Sequence, residues 1–284
     1  MNEEPTEEGV ETSATEPARR GRGIVPWLVA AVLIVAGAYL YLHYQGGPQA
    51  PAPVAVQEEA PAEPDALVRN PVPAVAPPPE NDPFAALLPD PLPPLDNSDA
   101  VMLKLAEFLL DKPDLLALIV PQEMIRRIVI TVDNIPARGI PQNRLPLKQP
   151  EGSFLVTKNG AETALDGANF QRYGRYAALL GGLDARRVVD AYVHLYPLFQ
   201  GAYRELGYPK AYFNDRLILA IDNLLATPEV QGPLLLTQPA VFYQYADPRL
   251  EALSAGQKLL LRMGPDNAAV VKKKLTELRR ELMR

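Results

Sequence analysis

Residues Ala185–Leu206 read ARRVVDAYVHLYPLFQGAYREL, and their spacing decides the fold class. Val189, Tyr192, Val193, Tyr196, Phe199, Tyr203 and Leu206 recur at steps of three and four, the period of a helix with one face on a core. Pro197 interrupts the run and removes a backbone donor, so a kink or break is expected near Val193. The helical period recurs on both sides of this stretch. Val101–Leu110, Pro113–Val120, Pro121–Asn134, Ala168–Leu180, Tyr212–Ala226, Pro248–Met263 and Pro265–Leu282 read as further helices. Leu95-Asp96-Asn97-Ser98-Asp99 offers N-caps for the first of them, and Pro113 and Pro121 suit first turns. Between Ile135 and Gly167 the helical signal weakens, and Pro136, Gly139, Pro141, Pro146 and Pro150 predict an irregular crossing. It is followed by a hairpin formed by Ser153–Thr157 and Glu162–Leu165 around Asn159-Gly160. Leu234–Thr237 and Val241–Tyr245 are candidates for extended chain, confined to edges or loops by Pro233 and Pro239. The expectation is a mostly α domain over residues 95–284, with a small β-hairpin and enough chain to bury a core.

Upstream of Leu95 the composition changes. The chain has 284 residues, 31 prolines, no cysteine and a formal net charge of −6. Residues 48–94 hold 15 of those prolines and seven acids against Arg69 alone, whereas residues 95–284 carry 24 bases and 21 acids. The acidity therefore belongs to the segment before the domain and to residues 1–23, with six Glu and three Arg. Proline at this density blocks helix and sheet, so residues 45–94 read as a disordered linker of polyproline II character. Fully extended, it reaches about 150 Å. Its bland reading is a spacer; the alternative makes Pro77-Pro78-Pro79 or the Phe84–Leu88 patch a docking motif.

Ile24–Leu42, IVPWLVAAVLIVAGAYLYL, has 19 residues without a charge. As a helix it spans roughly 28 Å, close to the ~30 Å hydrocarbon core of a bilayer. Trp27 and Tyr39, Tyr41 and Tyr44 fall where aromatic rings favour the interface. Arg19, Arg20 and Arg22 precede the span, and the next base is Arg69. The positive-inside rule then leaves residues 1–23 cytoplasmic, residues 24–44 as a single-pass anchor and the remainder exported, which in a Gram-negative cell means the periplasm. A cleaved signal peptide is the rival reading, since Ala36-Gly37-Ala38 has the small-residue pattern of a cleavage site. That site lies inside the apolar run, where a peptidase is poorly served, so the uncleaved anchor is the expectation.

The absent cysteine excludes a disulfide framework, a thiol nucleophile, a lipoprotein anchor and thiolate metal sites. His43 and His194 alone cannot build a multi-histidine metal centre within one chain. No phosphate loop, serine triad, zinc signature or dinucleotide fingerprint is present, and no cofactor is implied. The stripe Tyr192, Tyr196, Phe199 and Tyr203 is either core or a sugar- or base-stacking face, and helical spacing favours core. Nucleic acid is not expected, because an excess of three positive charges over 190 residues makes no basic domain. His194 shares a face with Arg187 and Asp190; a solvated face accounts for all three without chemistry.

Asp215 and Asp222 lie seven residues apart on one helical face, where paired carboxylates could hold a cation or act on a glycan. Helix capping and surface exposure explain them more simply. Asp133-Asn134 after Arg126-Arg127 is read in the same way. In the last helix Lys272, Lys273, Arg279 and Arg280 flank the Val271, Leu275, Leu278 and Leu282 seam, a basic surface for anionic lipid or an acidic partner, or a solvated face.

The phrases LPPLDNSDA (Leu92–Ala100), PQEMIRRIVITVDNIP (Pro121–Pro136), LYPLFQGAYRELGYP (Leu195–Pro209), FNDRLILAIDNLLATP (Phe213–Pro228) and LSAGQKLLLRMGPDNA (Leu253–Ala268) resemble the proteobacterial domain-of-unknown-function family 3014. The resemblance implies single-pass envelope proteins with a proline-rich tether, and no activity or catalytic residue. Two functions remain open. One is a non-enzymatic envelope module that binds another periplasmic component. The other is a peptidoglycan- or glycan-directed binder or hydrolase using the tyrosines with Asp215 and Asp222.

Overall fold

A computed structural model of the chain describes residues 67–284, apart from 75, 77, 78, 80 and 111, all within one compact unit, Pro64–Arg284. The expected cytoplasmic tail (1–23), membrane span (24–44) and first part of the linker lie outside these residues. Among the described residues no helix is long and apolar enough to cross a membrane.

The described chain holds nine α-helices and four short strands. In order they are α1 (Asp99–Leu109), α2 (Pro113–Leu116), α3 (Met124–Asn134), β1 (Val156–Asn159), β2 (Glu162–Leu165), α4 (Ala168–Gly182), α5 (Ala185–Glu205), α6 (Phe213–Leu225), β3 (Leu235–Thr237), β4 (Gln244–Tyr245), α7 (Pro248–Glu251), α8 (Ala255–Met263) and α9 (Pro265–Leu282). The domain is mostly helical, as its periodicity implies. α5 is the central element. It packs on α3 and α9, and α9 packs in turn on α4, α6 and α8. Its apolar face supplies Val189, Tyr192, Leu195, Phe199 and Tyr203 to the main core, where they meet Ile125 and Val129 of α3 and Phe213, Ile218 and Ile221 of α6.

Four local expectations need correction, each for a physical reason. α5 runs unbroken through Pro197, so tertiary packing on both sides holds the helix across the missing donor. The segment Pro248–Met263 is two helices, because Ser254 accepts the Gln257 N–H at 3.1 Å while the Gln257 side chain accepts the Ser254 N–H at 3.2 Å. This capping box starts α8 afresh. α3 begins only at Met124, and its start is capped from a distance: Asp99 of α1 accepts the N–H groups of Glu123 and Met124, both at 2.8 Å. The hairpin turn is Gly160-Ala161, since Asn159 is paired with Glu162. Gly160 takes φ +61° and Ala161 a negative φ, the signature of a II′ turn with glycine in its first central position.

The hairpin also does not stand alone. Leu235 and Leu236 pair antiparallel with Ala164 and Thr163, and Tyr245 with Leu236, giving a four-stranded sheet of order β1-β2-β3-β4. Leu165, Leu236 and Tyr245 turn inward onto Leu261 of α8. At the junction of α8 and α9, Gly264 has φ +82°, and a Cβ there would run into the Phe170 ring of α4. Only glycine satisfies both constraints.

The largest difference concerns the linker. Residues 81–94 were expected to belong to the tether, yet Phe84 is 2 % exposed and part of the main core. Its ring lies 5.7 Å from Phe108 of α1, and the Arg187 guanidinium of α5 lies over both rings at 5.4 and 5.2 Å. Leu87, Leu88, Leu92 and Leu95 pack behind it. Proline removes hydrogen-bond donors but does not prevent neighbouring apolar side chains from docking on a surface already formed.

Candidate functional site

Of the residues singled out in the sequence, the tyrosines of α5 and Asp215 gather around the start of α6. Tyr192 of α5 has its ring 5.8 Å from Tyr196, 5.4 Å from Phe199 and 6.4 Å from Phe213, the first residue of α6. Tyr203 approaches Phe213 from the other side at 5.6 Å. Gln200 locks the two helices together: its Oε1 accepts the Tyr196 hydroxyl at 2.8 Å and the Phe213 N–H at 2.9 Å, and its Nε2 donates to Ala211 O at 2.8 Å.

Tyr192 is 9 % and Tyr203 4 % exposed and Tyr196 is half-buried, so Tyr192 and Tyr203 present no open ring face and lie in the core, where helical spacing puts them. Burial is the main cause that pushes the phenols of Tyr192, Tyr196 and Tyr203 above their ordinary value, with a contribution from Tyr196 at Tyr192 and from Asp133 at Tyr203. They stay neutral across the physiological range and offer no base.

Asp215 and Asp222 share α6, but each already has partners. Asp215 accepts the backbone N–H of Asn70 at 2.6 Å, that of Arg69 at 3.2 Å and the Asn70 side-chain amide at 3.0 Å. The neighbouring Asn214, buried, completes the clasp by donating to Asn70 O at 3.0 Å while its Oδ1 accepts the Tyr192 hydroxyl at 3.0 Å. The glycan site imagined there is therefore filled by residues 69–71 of the same chain. Asp222 faces α9, where Arg279 Nε donates to it at 2.5 Å; that hydrogen bond holds the guanidinium above its ordinary value. No group of three or more metal-ligating side chains is assembled among the described residues.

The remaining candidates are also engaged. His194 Nε2 contacts Pro89 O at 2.9 Å, a donor's position that ties α5 to the packed segment before α1. Asp190 is bridged by Arg284 at 2.5 Å. Asp133 is 8 % exposed and pairs with Arg216 at 2.9 Å between Nε and Oδ1, in ion-pair range although off hydrogen-bond alignment. Arg216 also donates to the Asp133 carbonyl. Of the basic surface, Lys272 donates to Thr227 O at 2.6 Å and Arg279 is held by Asp222, leaving Lys273 and Arg280 exposed.

Two features escaped the sequence. Val241 and Phe242, 78 % and 80 % exposed, project from the turn between β3 and β4, where a large aromatic side chain gains nothing by facing water. The second is a cavity of about 370 Å3 between α1, α3, α4, α5, α6 and α9. Leu105, Leu179, Val189, Leu195, Ile221 and Leu282 are among its walls, and Tyr192, whose hydroxyl is spent on Asn214, is its one wall residue with a polar side-chain group. At roughly 24 cal/mol per Å3, a closed void of this size would forfeit on the order of 9 kcal/mol of packing. That upper bound is comparable with the whole stability of a typical domain. No spacing of leucines signals a void; only the relative placement of six helices creates it.

The fold defined here is a helical domain with one small antiparallel sheet, with Asp133, Asp190, Asp215 and Asp222 each held by partners from elsewhere in the chain. A match to the family described as "Protein of unknown function (DUF3014)" spans residues 124–279, more than half of the chain, and the chain belongs to that family. The match begins later than the resemblance noted from Leu92, so the packed segment and α1 lie outside it. No curated protein and no solved structure matches the chain.

Proposed function

We propose that this protein is a non-catalytic binding module of the bacterial cell envelope, anchored in the inner membrane by residues 24–44 with its helical domain on the periplasmic side. The observation that carries the reading is the pair Val241 and Phe242, presented in the open on the loop between β3 and β4, strands whose Leu236 and Tyr245 pack on Leu261 of α8. Phenylalanine is among the residues enriched at protein interfaces relative to the rest of the surface. The partner is another envelope protein. The supports for the anchor are the 19 uncharged residues of Ile24–Leu42 and the arginines before them.

The described residues from Leu67 onward belong to the compact unit of the domain, which shortens the proposed tether to 45–66; at about 3.1 Å per residue, a polyproline II chain of that length would reach about 70 Å instead of 150 Å. A module on such a leash samples a shell near the membrane. The test of the topology is protease accessibility of Val241–Phe242 in intact cells, in cells with a permeabilised outer membrane and in lysed cells. Cleavage at the second step supports the reading, and cleavage only after lysis removes it.

A further inference from the structure

We infer that the cavity between α1, α3, α4, α5, α6 and α9 is a binding site for a single alkyl chain. Three observations lead there. The volume of about 370 Å3 is more than twice the roughly 150 Å3 of an apolar cavity that takes up benzene, and lies within the range of small-molecule sites. The shape is long, because the walls follow α5 from Val188 to Phe199, about 16 Å at 1.5 Å per residue. The chemistry is uniformly apolar, offering a ligand hydrocarbon contact and no free hydrogen-bonding side chain, so water gains no partners inside. A compact aromatic ligand would leave much of this length empty, and a polar ligand would lose its hydration without replacement. An alkyl chain satisfies length, width and polarity together. The cavity is partly open, with Leu109, Leu147 and Leu183 of its wall partly exposed, so a headgroup can stay in water while the tail enters. This inference is independent of the Val241–Phe242 surface and of the membrane anchor.

The test uses the full chain in phospholipid nanodiscs, labelled with a diazirine derivative of lauric acid and mapped by peptide mass spectrometry. Ala191 is a small wall residue, 6 % exposed, and Ala106 is another, half-buried. Ala106→Leu and Ala191→Leu each fill part of the space, and a melting curve reports whether either has lost the fold. The expected result is labelling in 102–110 and 188–199, reduced at least tenfold in whichever filled variant keeps its melting transition. Competition separates the sources: suppression by lauric acid alone means a free fatty acid, and suppression by lysophospholipid means the tail of a lipid. Label confined to residues 24–42 or to Val241–Phe242, or label in the walls that the filled variants do not reduce, overturns the inference.

Discussion

Asp215 receives the backbone N–H of Asn70 at 2.6 Å, joining the first turn of α6 to a segment 145 residues earlier in the chain. A carboxylate that accepts two backbone N–H groups is doing the work of a cap on a foreign segment, and its charge strengthens each bond. Asp215→Asn keeps the shape and removes the charge. The loss is about 1 kcal/mol for a half-buried site, the usual net value of one hydrogen bond, because the asparagine oxygen still accepts. Amide exchange of residues 69–71 is expected to quicken about fivefold, while the α5 amides keep their protection.

Phe84 is the anchor of the segment before α1. Its truncation to alanine removes a fully buried ring, and the expected cost is about 3 kcal/mol. Urea denaturation of Phe84→Ala and of a chain begun at Leu95 should therefore show similar losses relative to a chain begun at Leu67. Equal stability of the chains begun at Leu67 and Leu95 would mean that residues 67–94 only rest on the surface.

The two acid–arginine pairs of α6 should differ sharply. Arg279 and Asp222 are 40 % and 46 % exposed, so solvent screens the pair and Asp222→Ala is expected to change stability by less than about 1 kcal/mol. Asp133→Ala leaves Arg216 without its buried counter-ion, and about 3 kcal/mol is expected. Chemical denaturation of the two variants side by side decides the contrast.

Acid should weaken the fold from a defined point. Burial pulls the Glu251 carboxyl upward, but the Lys258 ammonium at 2.8 Å and the Tyr245 N–H at 2.9 Å outweigh it and hold the group below its ordinary 4.5. The Ala168 N–H and then the Thr157 hydroxyl lower Asp166, and the Lys274 ammonium lowers Glu277. In each case the unfolded chain takes up the proton first, so the stabilisation is complete above the ordinary carboxylate range and lost as pH falls through the lowered values. The melting temperature should be flat near neutrality and fall below about pH 4.5, with a shallower fall in Glu251→Gln. At the other extreme burial pushes Tyr245 up to about 12, so its neutral phenol stabilises the fold fully below 10 and progressively less as pH rises through 12.

The helical character was legible because α5 carries its apolar face at strict three- and four-residue steps, and Tyr192 and Tyr203 landed in the core that this spacing implied. The split at Ser254 went unread because the apolar residues on either side run on at helical spacing, although the serine and glutamine of the capping box carry its signal. The packing of Phe84 was not. Proline density describes what a backbone cannot donate, and it is silent about where a single ring can be received. The partners of Asp215 and Asp222 were equally hidden, since both come from distant parts of the chain, Asn70 and Arg279. The cavity depends on the spacing between helices, which no residue pattern encodes.

The central claim, a module that meets a protein partner through the β3–β4 turn, is tested most directly by a photo-reactive amino acid placed at Phe242 in living cells. A second chain carries it at Lys158, exposed on β1, as the comparison. The account predicts a discrete crosslinked protein from position 242 that is absent from position 158 and abolished by Val241→Ser. Identical products from both positions, or none from position 242 while the domain remains folded and exported, would contradict it.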